Sequence, residues 1–173
     1  MTIRYYDLYE SPHGRMLLVA DDDAVTGVYF ADQKYHPVVE AGWVADARRG
    51  QLRQVKRELT EYFGGERKRF ETVVTPAGTA FQRAVWQAIS TVGFGRTITY
   101  GELAQRAGVP GAARAVGAAT GRNPIGIIVP CHRIVGAGGS LTGYAGGLPL
   151  KRALLALEGA TPESANLPLA LSA

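Results

Sequence analysis

Hydrophobic positions change period along the chain, and the change divides it. Alternating or β-rich runs at Ile3–Tyr9, Met16–Ala20 and Val25–Ala31 are separated by Pro12-His13-Gly14 and Asp21-Asp22-Asp23, and predict three strands within residues 1–40. Between 47 and 63 the spacing lengthens. Leu52, Val55, Leu59, Tyr62 and Phe63 fall on one helical face, which Gly64-Gly65 ends. Arg69–Val74 reads as one more short strand, and Thr75-Pro76-Ala77-Gly78 as a boundary. Past it the pattern is helical. Thr79 is placed to cap a helix whose apolar face is Phe81, Val85, Ala88, Ile89 and Val92, ended by Gly93-Phe94-Gly95.

Two short helices are predicted next, over about 101–107 and 112–121, around the turn Gly108-Val109-Pro110-Gly111. That is the helix-turn-helix pattern, with Ala104 and Gly108 at the usual tight-packing spacing. The second of the pair carries Ala112, Ala113, Ala115, Ala118 and Ala119, leaving Arg114 as its only long polar side chain before Arg122. Reading base edges in a major groove usually takes several Arg, Asn or Gln. Such a helix either packs against its neighbours or approaches a minor groove with one Arg as a wedge. The apolar run Ile127-Ile128-Val129 predicts a short strand leading into Pro130-Cys131-His132-Arg133, and a last helix is predicted over about 149–158. The fold class is therefore mixed α/β (α+β). A small N-terminal sheet with a helix spans 1–75, a mostly helical domain spans 76–160, and a loose tail fills 161–173.

Composition narrows the class. The 173 residues are 46% hydrophobic and 20% charged, a globular balance, and a lone Cys leaves no disulfide framework and no multi-Cys zinc site. The longest apolar stretch is far short of the ~20 residues of a membrane span, and MTIRYYDLYE has no secretory apolar region. A cytoplasmic protein is expected. Charge is uneven: residues 1–75 hold 11 Lys and Arg against 12 Asp and Glu, whereas residues 76–173 hold 8 against 3. The surplus is compatible with a phosphate-bearing partner or with a solvated basic face.

A lone Cys is most often an inert buried hydrophobe. Cys131 differs in its setting: Pro130 precedes it, and His132 and Arg133 follow as groups able to lower a thiol pKa. Neighbours on an extended strand point to opposite faces, so Cys131 and His132 cooperate only if the chain turns at Pro130 or a water bridges them. Glu158 falls on the apolar face set by Leu150, Leu154 and Leu157. It either snorkels at the helix end or orients His132 in a Cys-His-acid relay. Lowering a thiol pKa from ~8.5 to ~6.5 raises the thiolate fraction at pH 7 about 25-fold. Lost nucleophilicity takes back about 8-fold of that, so positioning must supply most of any catalysis.

Pro130-Cys131-His132-Arg133 resembles the active-site motif of the O6-alkylguanine-DNA alkyltransferases, the methylated-DNA–protein-cysteine methyltransferases. The likeness runs from about Thr79 to Gly159 and includes Thr99-Tyr100-Gly101, Ala113–Gly117, Arg122-Asn123-Pro124, Thr142-Gly143-Tyr144 and Leu155–Gly159. It implies a stoichiometric enzyme that flips an O6-alkylguanine out of duplex DNA through the minor groove and keeps the alkyl group, with O4-alkylthymine left open. By the same resemblance Cys131 is the acceptor, His132 its base through a water, Glu158 the holder of His132, Tyr100 the phenol that assists guanine departure, and Asn123 a hinge. Arg114 is the finger that replaces the flipped base, with Tyr100, Ala113, Ala115 and Gly117 along the DNA. Tyr144, Ala145, Ile134 and Pro130 line the base pocket. Ile134 stands where Val is commoner, and Ala145 where some members have a hydroxyl residue. No cofactor and no metal are implied. The expected partner is alkylated double-stranded DNA, not a membrane, bound by a monomer with or without cooperativity and on the nucleoid while bound. Two other functions remain at this point: a non-catalytic sensor of alkylated bases, which Cys131 disfavours, and a Cys-His-Glu acyl hydrolase, which leaves the helix pair and Arg114 unexplained.

Overall fold

In the first 30 residues the alternating pattern closes into an antiparallel meander, seen in a computed structural model that describes residues 1–160. The tail expected from Thr161 lies outside the described residues. Strand β1 (Tyr5–Ser11) pairs with β2 (Gly14–Ala20), and β2 with β3 (Val25–Phe30). The pair Val44–Ala45, not anticipated, adds a parallel β4 on the free edge of β1, giving the order β3-β2-β1-β4. Met16 to Ala20 are all buried, as expected of a central strand. Helix α1 (Gly50–Phe63) buries Leu52, Val55, Leu59 and Tyr62.

The strand expected over 69–74 does not form. Only Val74 bridges to Val25. The backbone N–H groups of Glu71 and Thr72 are taken instead by the fully buried carboxylate of Glu58, which also accepts from the Thr72 hydroxyl. Burial alone would raise the Glu58 pKa; these hydrogen bonds outweigh it and hold the group below its ordinary value.

The chain divides into two units: Met1–Ala77 with Pro124–Gly126, and Gly78–Asn123 with the chain from Ile127 onward. The second unit opens with α2 (Ala80–Ile89), held by a capping box in which Thr79 and Gln82 exchange side-chain-to-backbone bonds. Val85, Ala88 and Ile89 are buried as the spacing predicts, but Phe81, in the first turn beyond the end of that face, is 39% exposed. Trp86 takes the buried place and donates from Nε1 to the Ala119 carbonyl at 2.8 Å. Helices α3 (Tyr100–Arg106) and α4 (Ala113–Gly121) form the expected pair. Gly108 and Gly111, at φ of +78° and +84°, supply the left-handed backbone of the turn between them. A two-stranded parallel sheet joins β5 (Ile98–Thr99) to β6 (Ile134–Val135), and α5 (Leu148–Leu157) closes the unit.

The strand expected at Ile127–Val129 is a series of turns. Ile127 sits at φ +68°, a conformation a β-branched residue adopts only where its surroundings over-determine it, and it is buried. The short strand of this region lies after Cys131, as β6, not before it.

Candidate active site

The chain turns at Pro130, the condition the sequence set for Cys131 and His132 to act together. Residues Cys131–Arg133 form a single 3-10 turn, with Arg133 N–H on the Pro130 carbonyl at 3.0 Å. All three side chains are buried.

Behind His132 stands Glu158, the residue that ends α5. His132 Nε2 and Glu158 Oε1 are 2.7 Å apart. Arg133 grips the same carboxylate through Nε to Oε2 at 2.8 Å and Nη2 to Oε1 at 2.9 Å, and gives Nη1 to the Val92 carbonyl at 2.6 Å. Burial pushes the Glu158 pKa up, but the bonds from His132 and Arg133 dominate and bring it down to about 2. An ionised carboxylate only accepts hydrogen bonds, so Nε2 must carry the imidazole proton and Nδ1 is left with a lone pair. Nδ1 is buried and has no hydrogen-bond partner among the described residues. Burial also lowers the His132 pKa, against the pull of Glu158. The ring is therefore a neutral base at physiological pH, with its acceptor nitrogen aimed away from Glu158.

The thiol corrects one expectation. Burial raises the Cys131 pKa, and the groups that oppose burial are hydrogen bonds from the Asn123 and Tyr144 side chains and the charge of Lys151. His132 and Arg133 are not among them. Arg133 commits its guanidinium to Glu158, and His132 is neutral, so neither supplies the positive charge next to sulfur that lowers a thiol pKa. A stored thiolate is thus a minor species; the proton must leave during reaction, toward a base such as His132.

The remaining predicted residues are distributed as follows. Asn123 is buried and donates Nδ2 to the Val129 carbonyl at 2.8 Å, which fixes the turn that delivers Cys131. Tyr100 opens α3, half-buried, with its hydroxyl donating to the Thr142 carbonyl at 3.2 Å. Burial, then the charge of Cys131, raises its pKa, so it is a phenol and a proton donor. Ile134 and Pro130 are buried, Tyr144 and Ala145 half-buried. On α4, Arg114 and Ala115 are exposed and Ala113 and Gly117 partly so. The N-terminus of α4 has no side-chain cap, which leaves first-turn N–H groups open to an anion. A side chain that the sequence reading passed over is Lys151, fully buried on the α5 face that also carries Glu158 seven residues on. The signal that singled out Glu158, a charge at an apolar-face position, applies equally to Lys151.

Comparison with known proteins finds one family across both units. Residues 80–160 match the family described as 6-O-methylguanine DNA methyltransferase, DNA binding domain, and residues 4–76 match its ribonuclease-like domain. A methylated-DNA–protein-cysteine methyltransferase of Methanosarcina acetivorans is 48% identical over 155 residues, 90% of this chain and 98% of the relative. One from Haemophilus influenzae is 45% identical, covering 91% of this chain and 88% of its own. Among solved structures, Mycobacterium tuberculosis OGT in complex with DNA aligns with a TM-score of 0.81 at 42% identity, over 91% of this chain and 92% of that one.

Proposed function

This chain belongs to the 6-O-methylguanine DNA methyltransferase family, and from that premise we propose that it repairs DNA by direct reversal, moving the alkyl group of an O6-alkylguanine in duplex DNA irreversibly onto its own Cys131. The observation that carries this is the single buried thiol beside a neutral His132 whose Nδ1 is unpaired, in a unit that also presents a helix-turn-helix. His132 Nδ1 takes the thiol proton, directly or through one water. The sulfur then bonds to the alkyl carbon as the carbon–O6 bond breaks, and the departing guanine takes a proton from the Tyr100 hydroxyl. The resulting thioether has no acyl carbon for water to attack, so each molecule acts once. No helix among the described residues is long and apolar enough to cross a membrane; the protein works where its DNA lies, in the cytoplasm and on the nucleoid while bound. Residues 1–75 are assigned a structural role, and residues 76–160 bind DNA and accept the alkyl group.

Intact-mass measurement after incubation with an O6-methylguanine duplex tests this directly. A stable gain of one CH2 that maps to Cys131 is expected. Binding without a gain in mass would make the protein a sensor, and turnover of an activated ester would make it an acyl hydrolase.

Arg114 separates base flipping from chemistry. Exposed on a helix of otherwise small residues, it is assigned to fill the space a flipped base vacates. Flipping costs a few kcal/mol; losing about 2 kcal/mol of compensation slows transfer about 30-fold. Arg114→Ala should therefore slow transfer from duplex DNA by that order and leave transfer from free O6-benzylguanine within about twofold. Tyr100→Phe should slow both. Equal slowing of both substrates by Arg114→Ala would place its effect on the fold or the thiol.

A further inference from the structure

Twelve residues after β6, Gly136–Gly147, build the wall that carries Tyr144, and six of them are glycine. Glycine loses more conformational freedom on ordering than any other residue, so a loop of this composition keeps one shape only if cross-linked. The cross-link is Lys151. It is the only lysine after Lys68, its side chain is fully buried, and its Nζ donates to three backbone carbonyls: Ile134 at 2.5 Å, Thr142 at 3.1 Å and Gly143 at 3.1 Å. Ile134 lies on β6, three residues past Cys131; Thr142 and Gly143 lie in the glycine-rich loop. The Thr142 carbonyl also accepts the Tyr100 hydroxyl, so the Lys151 clamp and the proposed proton donor share one acceptor.

We propose that Lys151 is a positioning residue for alkyl transfer, its ammonium clamping the Thr142–Gly143 turn to the β6 backbone so that Tyr144 and the Tyr100 hydroxyl hold one arrangement around Cys131. The proposal rests on the alkyl-transfer reading and deepens it. Three donors on one ammonium match three carbonyl acceptors, a geometry that neither an apolar side chain nor a carboxylate reproduces. Burial lowers the amine to about 8, so at neutral pH it remains mostly charged, and that charge in turn favours the Cys131 thiolate. A buried cation held by three backbone carbonyls and not by a carboxylate is costly to keep. Fold stability alone gives no reason to prefer it over Met at this position.

Lys151→Met and Lys151→Gln test this, with three readouts each. Cys131 is the only thiol, so the pH dependence of its alkylation by iodoacetamide, read as added mass on the Cys131 peptide, follows its titration. The Met variant should lose about 10²-fold in transfer, the order expected of a misplaced reacting group. The loss should be equal for duplex O6-methylguanine and free O6-benzylguanine, since the clamp acts on the pocket and not on flipping. Duplex affinity should stay within about twofold, and the Cys131 titration should move to higher pH. Gln, which retains donors but no charge, should fall between Met and the natural protein. Rate constants within about threefold of the natural protein in a folded variant would overturn the proposal. If Met does not fold, Gln carries the test; failure of both to fold assigns Lys151 to stability and also overturns it. Adduct formation by the natural protein is the control, because its absence there would defeat alkyl transfer and leave the Lys151 result aside.

Discussion

Cys131→Ser should bind alkylated duplex DNA about as tightly as the natural protein and transfer nothing measurable to it. Burial already holds the natural thiol above its ordinary pKa, so the thiol and not the thiolate is the resting form at pH 7. Transfer therefore depends on removing a proton in the act, the step assigned above to His132. A hydroxyl is a far weaker acid and a poorer nucleophile at saturated carbon, so the same neutral imidazole cannot activate it to a useful degree. Loss of the nucleophile alone should lower the second-order rate constant by at least about 10⁴-fold. The hydroxyl is smaller than the thiol and has Asn123 and Tyr144 to bond with, so the fold should be undisturbed. An adduct on the serine variant at a comparable rate, or an adduct on any other residue, would remove Cys131 from the role of acceptor.

Much of this site was legible because its parts are written locally. Thr79 marks where α2 starts, and the Gly108 turn fixes how the pair α3–α4 bends; the Thr99–Glu102 capping box, which starts α3 at Tyr100, was not read from the sequence. Glu158 betrayed itself as a carboxylate where the helix face called for an apolar side chain. The failures share a cause: in each, a tertiary partner overrode the local pattern. Glu71 and Thr72 have strand-like surroundings, yet their N–H groups go to Glu58 on a distant helix. Ile127-Ile128-Val129 looks like a strand, but the bond from Asn123 to Val129 and the left-handed backbone at Ile127 make it a turn. Arg133 next to Cys131 suggested a positive neighbour for sulfur. Each of the three guanidinium nitrogens donates to Glu158 or to the Val92 carbonyl, a pairing across 25 and 41 residues that only the folded chain creates.

Glu158→Gln should disable the protein twice, and the two effects can be measured separately. The first is on chemistry. Glu158 at about 2 is an obligate acceptor, which is what forces the His132 proton onto Nε2 and frees Nδ1. An amide offers both an oxygen and an NH2, and in the orientation that presents NH2 to the ring it selects the other tautomer, with the proton on Nδ1 and no base facing the thiol. Loss of the correct tautomer in a hydrogen-bonded relay is worth up to about 10⁴ in rate in the best-studied triad, and a fall of about 10³-fold is expected here. The second effect is on stability. Arg133, buried and doubly bonded to the carboxylate, would be left an uncompensated charge, a loss of about 3–5 kcal/mol. The same pair gives the natural protein an acid signature. A carboxylate whose folded pKa is about 2 against an ordinary 4.5 binds fewer protons folded than unfolded over that interval. Its stabilisation, of the order of 3 kcal/mol, is therefore complete above about pH 5 and is lost as pH falls toward 2. The Gln variant has no such group, so its melting temperature should start lower at pH 7 and decline less between pH 5 and 3 than that of the natural protein. Parallel curves for the two proteins over that range would show that Glu158 is not held ionised by His132 and Arg133. Full activity in the Gln variant would show that the Nε2 tautomer is not what activates Cys131.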